Sequence, residues 1–381
     1  MKNAMKSMLM RLAVILLRAI YHVFMPLKLR DSVVIISRQS DTPTMDISMI
    51  SKELETRNVK VMVLTKYLGK ELKGLAGYSL HMLRQMYHIA TSKVVLLDGY
   101  CILMCVLPKK DGQSVIQMWH SLGAIKKFGY QSIGKPWGTD EGTARIMRLH
   151  RNYDYILAPS EATAKLYAKG FGTDIEKIRL LGLPRIDHLK QESDKTGDIM
   201  ADYLVLANKV NVLYVPTFRK GAEVDYEALA RAMDLEKYNL IVKKHMLDDV
   251  GRSEAKETGV IVDTKYSSMD WMKVCDKVIT DYSAIAFEAA ILEKELYWYV
   301  YDEEQYIENT GLNMKFAEEP IGKYVYKDAE SLCAGLDGEY DMGSVRAFRD
   351  KYITVDTESC TERLADFVEE LLSDEEDRYE N

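Results

Sequence analysis

Short apolar runs alternate with segments of helical period along most of this chain, and this alternation constrains the fold more than any other feature. The first half contains five such runs, at residues 32–37, 58–65, 93–98, 114–118 and 153–158, with helical segments at 45–55 and 78–90. Continuously apolar runs of this length are typical of parallel strands that helices cover on both faces. The pattern therefore predicts an α/β fold.

A second series of the same kind follows a polar segment at residues 191–198. Its apolar runs lie at residues 211–216, 239–243, 260–263, 277–280 and 296–300, with a helical segment at 283–293. A chain of 381 residues also exceeds the usual size of one hydrophobic core. We therefore predict two Rossmann-like, doubly wound domains, at 31–190 and 191–368, which face each other across a ligand-binding cleft.

The first 30 residues differ from this pattern. The segment Met8–Leu27 is apolar, but Arg11 and Arg18 interrupt it. A membrane-spanning helix needs about 20 mostly apolar residues, and arginines near its middle are costly. We predict that residues 1–30 form a helix that lies on a membrane surface, where anionic headgroups meet its basic residues. Packing against the protein's own core or another subunit is the alternative, and a spanning helix is disfavoured.

The formal net charge is −7, and its acidic excess is concentrated at residues 369–381. We interpret this segment as a solvated acidic tail. A nucleic-acid-binding protein usually carries a basic patch or stripe, and no long one is present here. The charge pattern therefore argues against nucleic acid as a partner.

The loop after the fourth apolar run contains the first candidate site. His120 stands just past the run, and Gly123, Lys126, Lys127 and Gly129 follow it. Histidine can take up a proton near neutral pH, lysines attract an anionic substrate, and glycines let the backbone approach a ligand. The structural alternative is a histidine that ends the strand, followed by solvated lysines.

Two further strand ends carry cationic or hydroxyl side chains. Thr217 and Arg219 follow one run, and they offer a hydroxyl and a bidentate fork for an anion. Lys244 and His245 follow the next run, and they could bind phosphate. The alternatives are an ordinary exposed arginine and a histidine that packs structurally.

The segment after residue 280 is the strongest local signal in the second half. Ser283 is predicted to be the N-cap of the helix that follows, and free amides such as that of Ala284 make such a position suited to phosphate. Asp281 could orient a donor or a neighbouring cation, and Glu288 could reach ribose hydroxyls. The alternative is that Ser283 is a helix cap and nothing more.

A Gly-x-Pro-Arg turn lies near the end of the first half. It presents Arg185, followed by Asp187. A contact with substrate and a structural Arg–Asp pair are both consistent with this pattern.

Several well-known nucleotide fingerprints are missing from the sequence. The chain contains no Gly-x-Gly-x-x-Gly after its first strand, no P-loop and no Gly-x-Ser-x-Gly elbow. It also lacks the Asp-x-Asp pair that is common where a divalent metal holds a nucleotide diphosphate. We therefore expect neither a cofactor nor a metal, and we expect protein cations and helix amides to meet the diphosphate charge.

Five motifs in a fixed order carry a resemblance. They are Gln-x-Trp-His120, Asn-Tyr-Asp-Tyr155, Gly-x-Pro-Arg185, Pro-Thr-Phe-Arg219 and Thr-Asp-Tyr-Ser283. Over roughly residues 30–310 the chain resembles the CDP-glycerol glycerophosphotransferase family of teichoic-acid primases and polymerases. It departs from that family's pattern after His120, where Ser-Leu-Gly replaces Gly-Thr-Pro.

The resemblance implies a GT-B-like fold, with an N-terminal acceptor domain and a C-terminal donor domain. It implies transfer of glycerol phosphate or ribitol phosphate from CDP-glycerol or CDP-ribitol, with release of CMP. The implied acceptor is an undecaprenyl-diphosphate-linked saccharide or polyol phosphate, at the cytoplasmic face of the cell membrane. A GT-B glycosyltransferase with a nucleotide-sugar donor and a non-catalytic wall-assembly scaffold are the alternative functions.

The resemblance and the strand-end residues together give each candidate a role. His120 is the expected general base, with His245 as a second catalytic residue. The other expected roles are donor phosphate binding by Arg219, Thr217, Lys244, Ser283, Ala284 and Asp281, ribose binding by Glu288, and acceptor binding by Lys126, Lys127 and Arg185.

Overall fold

A parallel β-sheet forms the centre of each of two units in the computed structural model. The structure describes residues 2–67, 72–192, 195–217, 219, 226–243, 260–354 and 358–373. The first unit comprises Met1–Ser121, Phe128–Asp187 and Asp356–Asn381, and the second comprises Leu122–Lys127 and His188–Val355.

The strands and helices alternate as the sequence predicted. The strands are Arg30–Ser37 (β1), Lys60–Thr65 (β2), Ser92–Leu97 (β3), Ser114–Gln117 (β4), Tyr155–Leu157 (β5), Ile178–Arg179 (β6), Val210–Val215 (β7), Tyr238–Val242 (β8), Val260–Val262 (β9), Lys277–Thr280 (β10), Glu295–Tyr299 (β11) and Val325–Tyr326 (β12). The helices are Lys2–His22 (α1), Met45–Thr56 (α2), Leu72–Thr91 (α3), Ile102–Val106 (α4), Glu141–Ile146 (α5), Glu161–Phe171 (α6), Pro184–Lys190 (α7), Lys195–Asp202 (α8), Tyr226–Ala232 (α9), Ser268–Val274 (α10), Ile285–Ile291 (α11), Glu303–Asn309 (α12), Ala329–Leu336 (α13), Met342–Tyr352 (α14) and Cys360–Ser373 (α15).

The sheet of the first unit has the order β2-β1-β3-β4-β5-β6, and every pair in it is parallel. The chain adds β2 on one side of β1 and β3 on the other. A crevice forms at the carboxyl ends of two adjacent strands whose connections lead to opposite edges of the sheet. Ligands bind in this crevice in sheets of this kind. In this unit the crevice lies beyond Ser37 of β1 and Asp98, which follows β3.

The second unit repeats this arrangement with the order β12-β11-β10-β7-β8-β9, again wholly parallel. In this sheet the strand order reverses between β7 and β10. These two strands pair Val215 with Thr280 at their carboxyl ends. The prediction of an α/β chain with two Rossmann-like sheets is therefore confirmed. Every residue of β3 and β10 is buried, which explains why their residues 94–97 and 278–279 are continuously apolar.

Two segments, α15 and Leu122–Lys127, do not lie in the unit to which the predicted domain boundaries assign them. Helix α15 belongs to the first unit, where Arg57 pairs with Asp366 and with Glu369 at 2.5 and 2.8 Å. Residues 369–373 are consequently the last turn of a packed helix rather than part of a solvated tail, and residues 374–381 lie outside the described part. The segment Leu122–Lys127 belongs to the second unit.

Helix α1 packs on the first unit along one face and leaves the other face in solvent. Val14 and Tyr21 are buried, and Nε of Arg18 donates to the carbonyl of Val106 at 2.8 Å. The opposite face exposes more than half of each of six apolar side chains: Met5, Met8, Leu9, Leu12, Ile15 and Leu16. Among the described helices, none is long and apolar enough to cross a membrane.

Candidate active site

His120 stands at the crevice of the first unit, with an exposed side chain just past β4. Its Nδ1 lies 3.0 Å from the main-chain carbonyl of Asp98, and the side-chain amide of Gln39 lies 3.2 Å from the same nitrogen. A carbonyl oxygen only accepts hydrogen bonds, so we assign the proton to Nδ1, and the amide of Gln39 then touches this nitrogen without donating to it. In the neutral ring the lone pair is then on Nε2, which can act as a base.

The backbone before His120 adopts an unusual conformation. Trp119 has a φ of 66°, which is a left-handed value that bulky residues rarely adopt. Its amide donates to Oε1 of Gln117 at 3.0 Å, and its ring lies 4.3 Å from that of His120 and 5.1 Å from that of Phe128. Such a conformation costs about 1–3 kcal/mol and is maintained only when the surroundings enforce it. The surroundings of Trp119 therefore fix the direction of His120.

Asp98 is a buried carboxylate in the same crevice that the sequence analysis did not single out. Its Oδ2 accepts a hydrogen bond from the hydroxyl of Ser37 at 2.7 Å, which joins the ends of β3 and β1. Its Oδ1 is buried without a hydrogen-bond partner among the described residues. Burial raises the pKa of Asp98 to about 6. The signal for this residue in the sequence is an acidic side chain that directly ends an apolar run.

The Gly-x-Pro-Arg turn has a structural role. Nε and Nη2 of Arg185 donate to Oδ2 of Asp46 in α2 at 2.8 and 2.5 Å, and its main-chain amide donates to Oδ1 at 2.7 Å. Asp187 accepts from the amides of Cys360 and Thr361 at 2.9 and 2.8 Å and thereby caps α15. The two residues of the turn therefore pair with different partners and not with each other, and the contact of Arg185 with the acceptor stays a prediction.

Asp281 is the centre of the crevice in the second unit. It is fully buried, and it accepts hydrogen bonds from the amides of Thr217 and Tyr282, at 2.9 and 2.6 Å. Nη1 of Arg219 donates to it at 2.8 Å. The Pro-Thr-Phe-Arg and Thr-Asp-Tyr-Ser motifs therefore meet in space through this one carboxylate, as their positions after β7 and β10 predict.

Arg219 is more completely paired than the sequence suggested. It is 3% exposed, and Nε and Nη2 donate to the two oxygens of Asp302 at 2.6 and 3.0 Å. Nη1 also donates to the carbonyl of Thr217 at 2.9 Å, so at least four of its five N–H groups are occupied. The predicted open fork for donor phosphate is thus occupied by protein oxygens. In this arrangement Arg219 is a positioning residue that holds three loops together.

The helix after the Thr-Asp-Tyr-Ser motif begins later than predicted. Ala284, with helical backbone angles, is the N-cap of α11, and Ser283 precedes it. The first turn is tight, because the amide of Ala286 bonds to the carbonyl of Ser283 at 3.4 Å. The hydroxyl of Ser283 accepts weakly from the amide of Ile285 at 3.4 Å, and Glu288 is buried at 4% exposure. The phosphate and ribose contacts of these residues stay predictions.

Lys126 and Lys127 lie in the second unit, whereas the predicted boundaries placed them in the N-terminal acceptor domain. Lys126 lies within electrostatic range of Asp281 and Arg219. Burial lowers its pKa, the charge of Asp281 opposes this effect, and the charge of Arg219 adds to it. The structure therefore brings Lys126 together with the residues predicted to bind the donor.

The second cationic cluster of the sequence is described only in part. Lys244 and His245 lie outside the described residues. The preceding residue, Lys243, is buried and donates to the carboxylate of Asp263 at 3.1 Å and to the carbonyl of Tyr266 at 2.6 Å. In the described part of the chain, no three His, Cys, Asp or Glu side chains are grouped as metal ligands would be.

Comparison with known proteins decides the family. Residues 17–370 match the CDP-Glycerol:Poly(glycerophosphate) glycerophosphotransferase family. The chain belongs to this family. Among its relatives, the teichoic acid ribitol-phosphate primase of Bacillus spizizenii is 31% identical over 358 residues, which cover 90% of this chain and 92% of that protein. The teichoic acid glycerol-phosphate primase of Bacillus subtilis is 29% identical over 301 residues, which cover 77% and 78%.

Solved structures show the same fold. The wall teichoic acid polymerase TagF matches this family member with a TM-score of 0.72 at 16% identity, covering 98% of this chain and 99% of that one. A UDP co-structure of MnaA from S. aureus matches with a TM-score of 0.56 at 14% identity, covering 90% and 97%. The predicted GT-B-like fold is therefore confirmed. The family assignment makes this chain a transferase of teichoic acid biosynthesis, as its five ordered motifs predicted.

Proposed function

We propose that this chain transfers glycerol phosphate or ribitol phosphate from a CDP-activated donor to a lipid-linked acceptor and releases CMP. The observation that carries this proposal is the 3.0 Å contact between Nδ1 of His120 and the carbonyl of Asp98. That contact leaves Nε2 of an exposed ring as a base, which transfer to a hydroxyl acceptor requires. The two primases that resemble the chain, one for each polyol phosphate, support both donor types.

The proposed step is a displacement at the β-phosphorus of the donor. The acceptor hydroxyl gives its proton to Nε2 of His120 while its oxygen forms a bond to this phosphorus. The bond from the phosphorus to the oxygen that bridges the two phosphates breaks, and CMP leaves with that oxygen and its electron pair. The product is a new phosphodiester between the polyol and the acceptor. Fixed protein dipoles and cations stabilise the charge on the departing CMP.

The second unit supplies the donor site in this proposal. Asp281 orders the loops that carry Thr217 and Ser283, and Arg219 holds Asp281 in place. The buried hydroxyl of Thr217 has no hydrogen-bond partner among the described residues, so it is ready to donate to a phosphate. The acceptor is an undecaprenyl-diphosphate-linked saccharide or polyol phosphate.

A donor comparison tests this function. We expect purified protein with a lipid-linked acceptor to release CMP from CDP-glycerol, CDP-ribitol or both, and to leave UDP-N-acetylglucosamine intact. Nucleotide release is measured by chromatography, and the lipid product is sized by mass spectrometry. Turnover of the nucleotide sugar alone would identify a glycosyltransferase, and release from none of the three donors would favour a scaffold.

The exposed face of α1 supports a peripheral position on the cytoplasmic face of the cell membrane. Apolar residues at spacings of three and four form a stripe on this helix, and each is more than half exposed at Leu9, Leu12, Ile15 and Leu16. Arg11 is also exposed and can reach anionic headgroups from the same helix. A lipid-linked acceptor is presented at such a surface.

Substituting this stripe tests the membrane position without removing packed residues. We expect the double variant Leu12→Ser, Ile15→Ser to sediment poorly with phosphatidylglycerol vesicles. Burying a large aliphatic side chain is worth roughly 1.5–3 kcal/mol, so losing two corresponds to about 10²–10⁴-fold in partitioning. Leu204→Ser is the matched control, because Leu204 is 76% exposed in the second unit. Wild-type sedimentation of the double variant would exclude this face of α1 as the anchor.

A further inference from the structure

The six residues Leu122–Lys127 are joined to the second unit by backbone hydrogen bonds. The amide of Asn313 donates to the carbonyl of Ile125 at 2.8 Å, and the amide of Lys127 donates to the carbonyl of Gly311 at 2.9 Å. The side-chain amide of Asn313 donates to the carbonyl of Lys126 at 3.1 Å. The segment thus runs antiparallel to residues 311–313, and Lys126 has a fixed place in it.

Packing against α11 also holds the segment Leu122–Lys127 in place. A Cβ atom on Gly123 would lie 2.3 Å from the ring of Phe287, so only glycine allows this approach. Phe287 is itself buried and stacks on Phe348 at 5.5 Å. Leu122, Ala124 and Ile125 are buried as well. The position of Lys126 relative to the loop that precedes α11 is therefore determined by close packing.

The ammonium group of Lys126 has an environment that favours an anion. It is half-buried, and it forms no hydrogen bond or ion pair with the residues that the structure describes. Asp281, the carboxylate within electrostatic range, already accepts from Arg219 and from the amides of Thr217 and Tyr282. A partly buried cation without such bonds is costly, and a bound anion would offset that cost.

Two buried hydroxyls lie near the same residues. Oγ1 of Thr217 and the hydroxyl of Tyr214 are buried, and neither has a hydrogen-bond partner among the described residues. Thr217 is 6% exposed and its amide is bonded to Asp281. Tyr214 lies within electrostatic range of Asp281 and Arg219. Buried hydroxyls usually have a partner, so two unbonded ones in the surroundings of Asp281 point to a ligand with acceptor oxygens.

We propose that Lys126 binds a phosphate of the nucleoside diphosphate donor together with the hydroxyl of Thr217, rather than binding the acceptor. This inference rests on the proposed function, because that function supplies the diphosphate. Lys126 lies six residues after His120 along the chain. One loop therefore carries both His120, which accepts the proton, and Lys126, which binds a donor phosphate.

Calorimetric titration with CDP and with cytidine tests the proposal. We expect Lys126→Gln to weaken CDP binding about 10–150-fold, because a hydrogen bond to a charged group contributes about 1.5–3 kcal/mol. Cytidine affinity should not change, and Lys126→Arg should restore much of the CDP affinity. Lys315→Gln is the matched control, because its side chain is 78% exposed in the same unit, and it should bind CDP as the wild type does. Thr217→Val should weaken CDP binding independently, since it removes only the hydroxyl.

Each contrary result has a separate meaning. Wild-type CDP affinity in folded Lys126→Gln, or in Thr217→Val, would overturn the phosphate contact of that residue. A higher acceptor KM in Lys126→Gln with unchanged CDP affinity would return Lys126 to the acceptor site. If the wild-type protein itself does not bind CDP, the proposed function fails, and the inference fails with it.

Discussion

Replacing His120 by alanine is expected to lower the rate of CMP release by about 10²–10⁴-fold, which is the usual contribution of a general base. The affinity for CDP should stay near that of the wild type, because the proposed donor contacts are made by Lys126 and Thr217 and not by the imidazole of His120. The reason for the loss is specific. The contact of Nδ1 with the carbonyl of Asp98 makes Nε2 the basic atom, and alanine provides no base in its place. Initial rates and calorimetric titrations measure the two quantities separately.

His120→Asn provides the informative second variant. An asparagine amide can still donate to the carbonyl of Asp98, so the loop geometry is preserved, but the side chain has no basic nitrogen. We expect the same loss of rate as in His120→Ala. If either variant keeps a rate within about threefold of wild type, which is far less than a general base contributes, His120 is not the base.

Replacing Arg219 by methionine is expected to destabilise the second unit by about 3–5 kcal/mol, the usual cost of breaking a buried ion pair from one side. Its partners explain the size of this effect. The side chains of Asp281 and Asp302 are only 0% and 15% exposed, so two largely buried carboxylates would lose their cation. Hydrogen–deuterium exchange should therefore increase at β7 and β10, whereas β1 and β3 of the first unit provide an internal reference.

Arg231→Met is the matched control for this prediction. The ion pair of Arg231 with Glu227 is 3.4 Å long, and its side chains are 70% and 71% exposed. Exposed pairs of this kind contribute about 0–1 kcal/mol. A stable Arg219→Met protein that has lost only its CDP affinity would contradict the positioning role and restore the direct phosphate contact that the sequence predicted.

The parts of this fold that the sequence predicts are those that depend on local pattern. Strands such as β3 and β10 are buried at every position because helices cover both faces, and the apolar residues at 94–97 and 278–279 can be read along the chain. Polar side chains that follow such strands are candidate site residues, and the sequence predicts His120, Thr217 and Asp281 on this basis. Parallel strands align their carboxyl ends, so these positions follow from the sheet itself.

The parts that the sequence does not predict depend on partners far along the chain. Arg219 is a basic residue after a strand, and nothing local shows that Asp302, 83 residues later, occupies its guanidinium. The same holds for Arg185 and Asp46, which are 139 residues apart. The left-handed backbone of Trp119 is also invisible in a sequence, because its surroundings impose it.

The path of the chain limits how this enzyme can be divided or recombined. The first unit is completed by α15 and the second by Leu122–Lys127, so the polypeptide changes unit four times. Fragments separated after Asp187 would each lack a piece of their own core. A chimera that exchanges the second unit with that of a relative must transplant Leu122–Lys127 along with it, because Gly123 packs directly against Phe287 of that unit. Exchange of the second unit therefore requires two inserted segments, Leu122–Lys127 and His188–Val355. A single crossover near the middle of the gene would join segments that come from different units.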